Sequence, residues 1–205
     1  MPSSYCTTVT PDEIFAASHV SRFHMVRTIR PQSIAEHSYR VALLATYFCR
    51  VLAEELLPGG LRDQLLGREF QFEVLDYALI HDIDESMTGD IPSPVKAAAG
   101  PGLKEELDGL FWGSRPVPAP APEVRWMVKL ADIVEGYLFY LGNGGLGPSF
   151  PDARYNWVLD NWIVLLETHL AKGEDVFPGL GADFFQTRLF DLVVAQRLGI
   201  SVSNT

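Results

Sequence analysis

Cysteine is nearly missing from this chain: Cys6 and Cys49 are the two among 205 residues, and no Cys-x-x-Cys pair occurs. A disulfide framework is thereby excluded. No stretch reaches the roughly 18 uninterrupted apolar residues of a membrane helix. The first residues, MPSSYCTTVTPDE, hold no basic segment followed by an apolar one, so no secretory signal is expected and a cytoplasmic address is. Positive charge is in short supply as well. Sixteen Lys and Arg face 26 Asp and Glu, a formal net charge of −10, and Lys and Arg never cluster in a run. Duplex binding normally shows the opposite balance or a basic stripe. Neither a nucleic-acid nor a membrane partner is expected. A small anionic ligand stays compatible, because a pocket can be locally positive inside an acidic protein.

The chain does have apolar mass at helical spacing. An apolar fraction of 47% supports a substantial core, and a domain typically takes about 100–200 residues. A single domain over residues 1–205 is expected. Thr10-Pro11-Asp12-Glu13 and Ser33-Ile34-Ala35-Glu36 read as capped helix starts. The first helix is expected to end near His19, and the second carries Val41, Leu44, Ala45, Phe48 and Leu52 until Pro58-Gly59-Gly60. Residues 22–32 read as a loop. Residues 61–81 read as a short helix and a longer one, and 88–94 must be a loop because it holds two prolines and a glycine. An amphipathic stretch through Leu103, Leu107, Leu110 and Phe111 follows, and then a proline-rich extended connector at 115–122. Helices over 123–141, 152–170 and 183–198 complete the chain, the last packing on the rest. No strand alternation between hairpin turns is visible. The expectation is an all-α fold of about six or seven helices.

Gly142-Asn143-Gly144-Gly145-Leu146-Gly147 formally matches a dinucleotide-binding loop, but it follows a helix instead of a strand and runs into Pro148. It reads as a helix stop and a flexible loop. More informative are polar residues where a helical core does not ask for them. His81-Asp82 closes the apolar run Tyr77–Ile80, Asp132 sits inside Leu130-Ala131-Asp132-Ile133-Val134, and His37 falls in the first turn of an apolar helix. Each singly has an ordinary reading as a solvated or satisfied residue. Together they are two imidazoles and two carboxylates on three helices, a mixed nitrogen and oxygen set suited to Zn²⁺, Mn²⁺, Fe²⁺ or Co²⁺. Such a set with open water positions is what metal-assisted hydrolysis uses.

The order His, His-Asp, Asp resembles the HD-domain phosphohydrolases. The surrounding wording is closer still to the YfbR-like 5′-deoxynucleotidases and their relatives. It consists of Arg22-Phe23, Arg27, Arg30, Ala35-Glu36-His37-Ser38, His81-Asp82-x-x-Glu85, Thr88-Gly89-Asp90-Ile91-Pro92-Ser93-Pro94-Val95-Lys96 and Lys129-Leu130-Ala131-Asp132. The resemblance spans roughly residues 10 to 172, and it implies a compact HD-domain helical fold. It also implies that His37, His81, Asp82 and Asp132 bind one divalent metal ion (Mn, Co, Zn, Fe or Mg) and that Glu85 is the acid/base acting on the attacking water. Arg22, Lys96 and Lys129 match phosphate-binding cations, and Asp90 matches an aspartate beside the sugar and the reaction centre. Ordinary readings stand beside these: surface charges for the cations, a solvated residue for Glu85, a turn residue for Asp90.

One departure is Phe23, where the family commonly has Trp. The implied role of that ring is to leave no room for a 2′-hydroxyl, and Phe keeps the apolar wall with a smaller ring. Met25 corresponds to a position near the base, with a core-filling role as the equal alternative. The resemblance implies a 2′-deoxynucleoside 5′-phosphate as substrate. Arg22-Phe23-His24-Met25 leans towards the phage dATP triphosphohydrolases, which release triphosphate. A 5′-deoxynucleotidase acting on monophosphates is the alternative, and a non-catalytic nucleotide-sensing module is a third reading. Relatives are homo-oligomers, so the same is expected here. Trp157, Trp162, Phe184 and Phe185 are candidates for the contact or for core packing.

Overall fold

The computed structural model describes residues 8–56, 59–145 and 153–195. Helix α1 (Pro11–Ala16) is closed by a capping box: the Glu13 N–H donates to Thr10 Oγ1 at 3.3 Å and the Thr10 N–H to Glu13 Oε2 at 2.7 Å. It stops at Ala16, short of His19, because the chain tightens into a turn in which the His19 N–H donates to the Ala16 carbonyl. Two strands follow that the sequence pattern does not reveal: β1 (Ser21–Arg22) and β2 (Gln32–Ser33) pair antiparallel. Two residues each are too few to display an alternation.

Ser33 caps α2 (Ile34–Glu54), its Oγ accepting the Glu36 N–H at 3.1 Å. The expected split of residues 61–81 appears as α3 (Leu61–Leu66) and α4 (Arg68–Ile80), broken at Gly67, where ψ is 139°. The proline-containing loop is shorter than expected. Helix α5 (Glu85–Thr88) and α6 (Ser93–Ala99) leave only 89–92 as loop, entered through Gly89 at φ +77°. Gly89 there takes a backbone conformation that other residues adopt only under strain. Then come α7 (Pro101–Trp112), the extended connector and α8 (Pro122–Asn143), which Pro122 opens in its first turn, where no backbone donor is needed. Helix α9 (Ala153–Leu170), α10 (Gly173–Val176), a π-helical turn (Phe184–Leu189) and α11 (Phe190–Ala195) end the described chain. Asp152, Pro58 and the expected helical residues 196–198 lie outside the described residues.

The all-α expectation holds, with the weight carried by five helices of twelve residues or more: α2, α4, α7, α8 and α9. Their apolar stripes meet in one core, where Val41, Phe48 and Leu52 of α2 face Val74 and Ala78 of α4 and Met127, Ala131 and Val134 of α8. The C-terminal segment packs on this core through Phe184, Phe185, Leu189 and Val193. Phe184 and Phe185 are buried, so they cannot supply an exposed contact. Trp162 covers Gly136, and of the four aromatics only Trp157 faces outward, at 59% exposure.

The loop after β1 is tied to the end of α8. The Ile29 N–H donates to the Asn143 carbonyl and the Gly145 N–H to the Arg27 carbonyl, both at 2.7 Å, while Thr28 and Gly144 form a bridge. The described part of the glycine run is thus a helix stop that anchors this loop, as read from sequence. Its remainder, Leu146 onward, lies outside the described residues.

Candidate active site

The start of α2, the end of α4 and the middle of α8 meet where the polar residues were singled out. One ligand atom from each of His37, His81, Asp82 and Asp132 lies within 4.8 Å of all the others. His37 Nε2 is 3.2 Å from Asp132 Oδ1 and 3.5 Å from Asp82 Oδ2, and His81 Nε2 is 3.4 Å from Asp82 Oδ2. The other nitrogen of each ring is committed elsewhere. His37 Nδ1 sits 2.7 Å from Glu135 Oε2, and His81 Nδ1 is 2.8 Å from the Ala78 carbonyl. Both Nε2 atoms are buried and have no hydrogen-bond partner. Imidazoles held through one nitrogen, with the other left open beside carboxylates, are arranged as metal ligands are.

Electrostatics point the same way. Burial pushes the Asp82 carboxyl up, but His81 and His37 outweigh it and hold the group below the usual range. Asp132 is likewise held down, burial being overcome by Lys129 and His37. Burial dominates at His81 and lowers its pKa, which keeps a lone pair free. His37 behaves differently: burial and Arg22 push it down, yet Asp132, Asp82 and Glu135 together raise it to about 10. A buried carboxylate needs compensating charge, and here His37 provides it by holding a proton. A divalent cation bound to this donor set would meet the same demand and release that proton. The residues present therefore fit one N/O-ligated metal ion.

Around this group stand the remaining predicted residues. Glu85 opens α5, is 4% exposed, and receives Lys96 Nζ on Oε1 at 2.6 Å, leaving Oε2 without a partner. Burial, and then Asp82, push its carboxyl up to about 8 against the pull of Lys96. Lys129 Nζ donates to Asp132 Oδ2 at 2.6 Å. Arg22 is half-buried, with Nη2 3.8 Å from Asp132 Oδ1 and Nη1 3.6 Å from Glu135 Oε2. Asp90 Oδ2 accepts the Phe23 N–H at 3.2 Å and lies 3.7 Å from His24 Nδ1. Phe23 stands at φ +61°, a strained value for a residue with a side chain, and its ring stacks on Phe139 at 5.2 Å and Tyr140 at 6.0 Å. Met25 is 56% exposed, which removes the core-filling alternative.

Sequence reasoning missed Glu135 and Gln32. Glu135 is 3% exposed, and its Oε1 accepts Gln32 Nε2 at 2.6 Å. Its signal was available, since an acid one turn after Asp132 in the same apolar helix needs the same explanation. A cleft of about 420 Å³ opens on the group beside His81, Asp82, Glu85, Lys96, Lys129 and Asp132.

The YfbR-like 5′-deoxynucleotidase family matches residues 14–110. A dATP triphosphohydrolase of cyanophage S-2L is 38% identical over 148 residues, 70% of this chain and 75% of that one. The chain belongs to the YfbR-like HD phosphohydrolases. A 5′-deoxynucleotidase of Pectobacterium atrosepticum is 30% identical over 77 residues, covering 38% of this chain and 34% of the relative. Among solved structures, the cyanophage S-2L HD phosphohydrolase bound to dA and one catalytic Zn²⁺ ion superposes with a TM-score of 0.67. It is 27% identical and the match covers 94% of this chain and 98% of that one. An HD phosphohydrolase of this kind is an enzyme with an all-α fold. Among the described residues no helix is long and apolar enough to cross a membrane.

Proposed function

We propose that this chain is a metal-dependent hydrolase that cleaves dATP into deoxyadenosine and triphosphate. The observation that carries the reading is the extent of likeness: a dATP triphosphohydrolase matches 70% of the chain, against 38% for a 5′-deoxynucleotidase. His37, His81, Asp82 and Asp132 would hold one divalent metal. When bound, such an ion supplies a Lewis acid and a water acidic enough to be deprotonated near neutral pH.

The chain's own residues do the rest. Glu85 takes a proton from the attacking water and returns it to the departing 5′ oxygen, and Lys96 orients its carboxyl through Oε1. Arg22 and Lys129 stand beside Asp132 and offset charge on the α-phosphoryl oxygens. The Phe23 ring forms the wall against which the sugar rests, and its bulk disfavours a 2′-hydroxyl. Asp90 holds the Phe23 backbone, so it acts on the sugar wall by positioning it. Met25, exposed two residues on, borders the base.

The match of residues 14–110 to the 5′-deoxynucleotidase family supports a second reading, removal of phosphate from deoxynucleoside monophosphates. Separation of products by ion-exchange chromatography distinguishes the two. The proposal expects deoxyadenosine and intact triphosphate from dATP, with weak turnover of ATP. Phosphate released from dAMP, with dATP untouched, would overturn it. A cytoplasmic setting fits a free nucleotide as substrate. Self-association is proposed through the exposed apolar face of α9, Trp157, Val164 and Leu165, and light scattering reporting a monomer would refute it.

A further inference from the structure

We infer that Arg125, with Lys104, forms a subsite for the terminal phosphates of a triphosphate chain. This rests on the triphosphohydrolase reading above and names where that substrate's tail lies.

Helix α8 sets the axis. Arg125, Lys129 and Asp132 follow one another at i, i+4 and i+7, so they share one helix face, and Arg125 lies about 10 Å along the axis from Asp132 at about 1.5 Å per residue. In the opposite direction, Phe139 and Tyr140 carry the Phe23 ring, two turns beyond Asp132. One helix therefore presents an aromatic wall, a metal-binding group and a pair of cations in that order. A nucleotide with its sugar on Phe23 and its α-phosphate at Asp132 has its remaining phosphates directed towards Lys129 and Arg125.

The cleft has the matching polarity. Its lining holds His81, Asp82 and Asp132 together with Lys96 of α6, Lys104 of α7, and Lys129 and Arg125 of α8. Phe23 and Met25 do not line it. Lys96 and Lys129 are each engaged at 2.6 Å, with Glu85 and Asp132. The Arg125 side chain makes no ion pair among the described residues, and Lys104 pairs only with Asp108, one turn along its own helix. Asp84 and Glu85 also lie on the wall, and Glu85 is paired with Lys96. A monophosphate at Asp132 is already served by Arg22 and Lys129. Cations two turns farther out have a use only for a longer anion, and guanidinium is suited to phosphate oxygens.

The test uses metal-loaded protein, with excess Mg²⁺ to saturate the free anions, titrated calorimetrically with inorganic tripolyphosphate and with orthophosphate. The wild type binds tripolyphosphate at least ~10-fold more tightly, the scale of one charge-assisted contact. The Arg125→Ala, Lys104→Ala double variant loses about that factor for tripolyphosphate and keeps its orthophosphate affinity, and Arg125→Lys retains part of it. Unchanged tripolyphosphate affinity in the double variant, or equal loss for both anions, overturns the subsite. Because neither anion is turned over, this result stands apart from the dATP product assay. A tripolyphosphate preference in a protein that leaves dATP intact would sink the activity and keep the subsite.

Discussion

His37 Nδ1 lies 2.7 Å from Glu135 Oε2, and both groups are almost wholly buried. A carboxylate can only accept, so Nδ1 carries a proton throughout, and Nε2, turned to Asp82 and Asp132, is the nitrogen that would give up its proton to a metal. Glu135 is itself held by Gln32 from β2 and lies within 3.6 Å of Arg22. The short strand pair thus serves to brace the carboxylate that fixes the His37 tautomer.

Glu135→Gln keeps the shape and removes the charge. Metal affinity measured by competition with a chelating dye is expected to fall about 10–100-fold, the usual cost of losing such an outer partner. An unchanged affinity would show that His37 is oriented without Glu135.

Phe23 presents a different kind of test. Its φ of +61° is tolerated because the ring is stacked on Phe139 and its N–H is held by Asp90. Phe23→Ala removes the wall, and the ratio of kcat/KM for dATP over ATP is expected to fall about tenfold, the scale of one lost apolar contact. A ratio left as in the wild type would place sugar discrimination elsewhere.

These two residues mark what the sequence could and could not reveal. Asp132 was legible because it interrupts an apolar run, His81-Asp82 because it closes one, and His37 because it opens an apolar helix, places where burial of a polar group demands a reason. Capped starts at Thr10 and Ser33 were legible because capping is local chemistry. The pairing of β1 with β2 was not, since two residues carry no period, and neither was the backbone strain at Phe23, which the tertiary stack imposes. Glu135 was legible by the rule that found Asp132, yet its role depends on a partner 98 positions away. For Phe184 and Phe185 the structure selects core packing of the two readings left open, a choice the sequence could not make because an aromatic looks alike in a core and at an interface.

His169 makes the fold sensitive to acid. Burial, opposed by its hydrogen bond to the Trp126 carbonyl, lowers its pKa from 6.5 to about 4. Between those values the unfolded chain takes up a proton that the folded one refuses, so stability is full above about pH 6.5 and declines as the pH falls towards 4. Thermal melts of wild type and His169→Gln at pH 7.5 and 5 check this. The wild type is expected to lose more of its melting temperature than the variant over that interval, and parallel losses would contradict it.

Gly136 lies under the Trp162 ring, where a Cβ would sit 2.5 Å from the ring edge. Gly136→Ala forces α8 and α9 apart and is expected to destabilise the protein by about 1–3 kcal/mol in urea unfolding. Adding Trp162→Leu should recover much of that loss. A neutral single variant would mean that the two helices pack more loosely than the contact indicates.

The most direct test of the account is metal content set against activity for the wild type and Asp132→Ala, after chelation and reconstitution with one metal at a time. One ion per chain in the wild type, hydrolysis of dATP only when it is present, and neither ion nor hydrolysis in Asp132→Ala is the result predicted. Full hydrolysis by the metal-stripped wild type, or by Asp132→Ala, would contradict the metal centre.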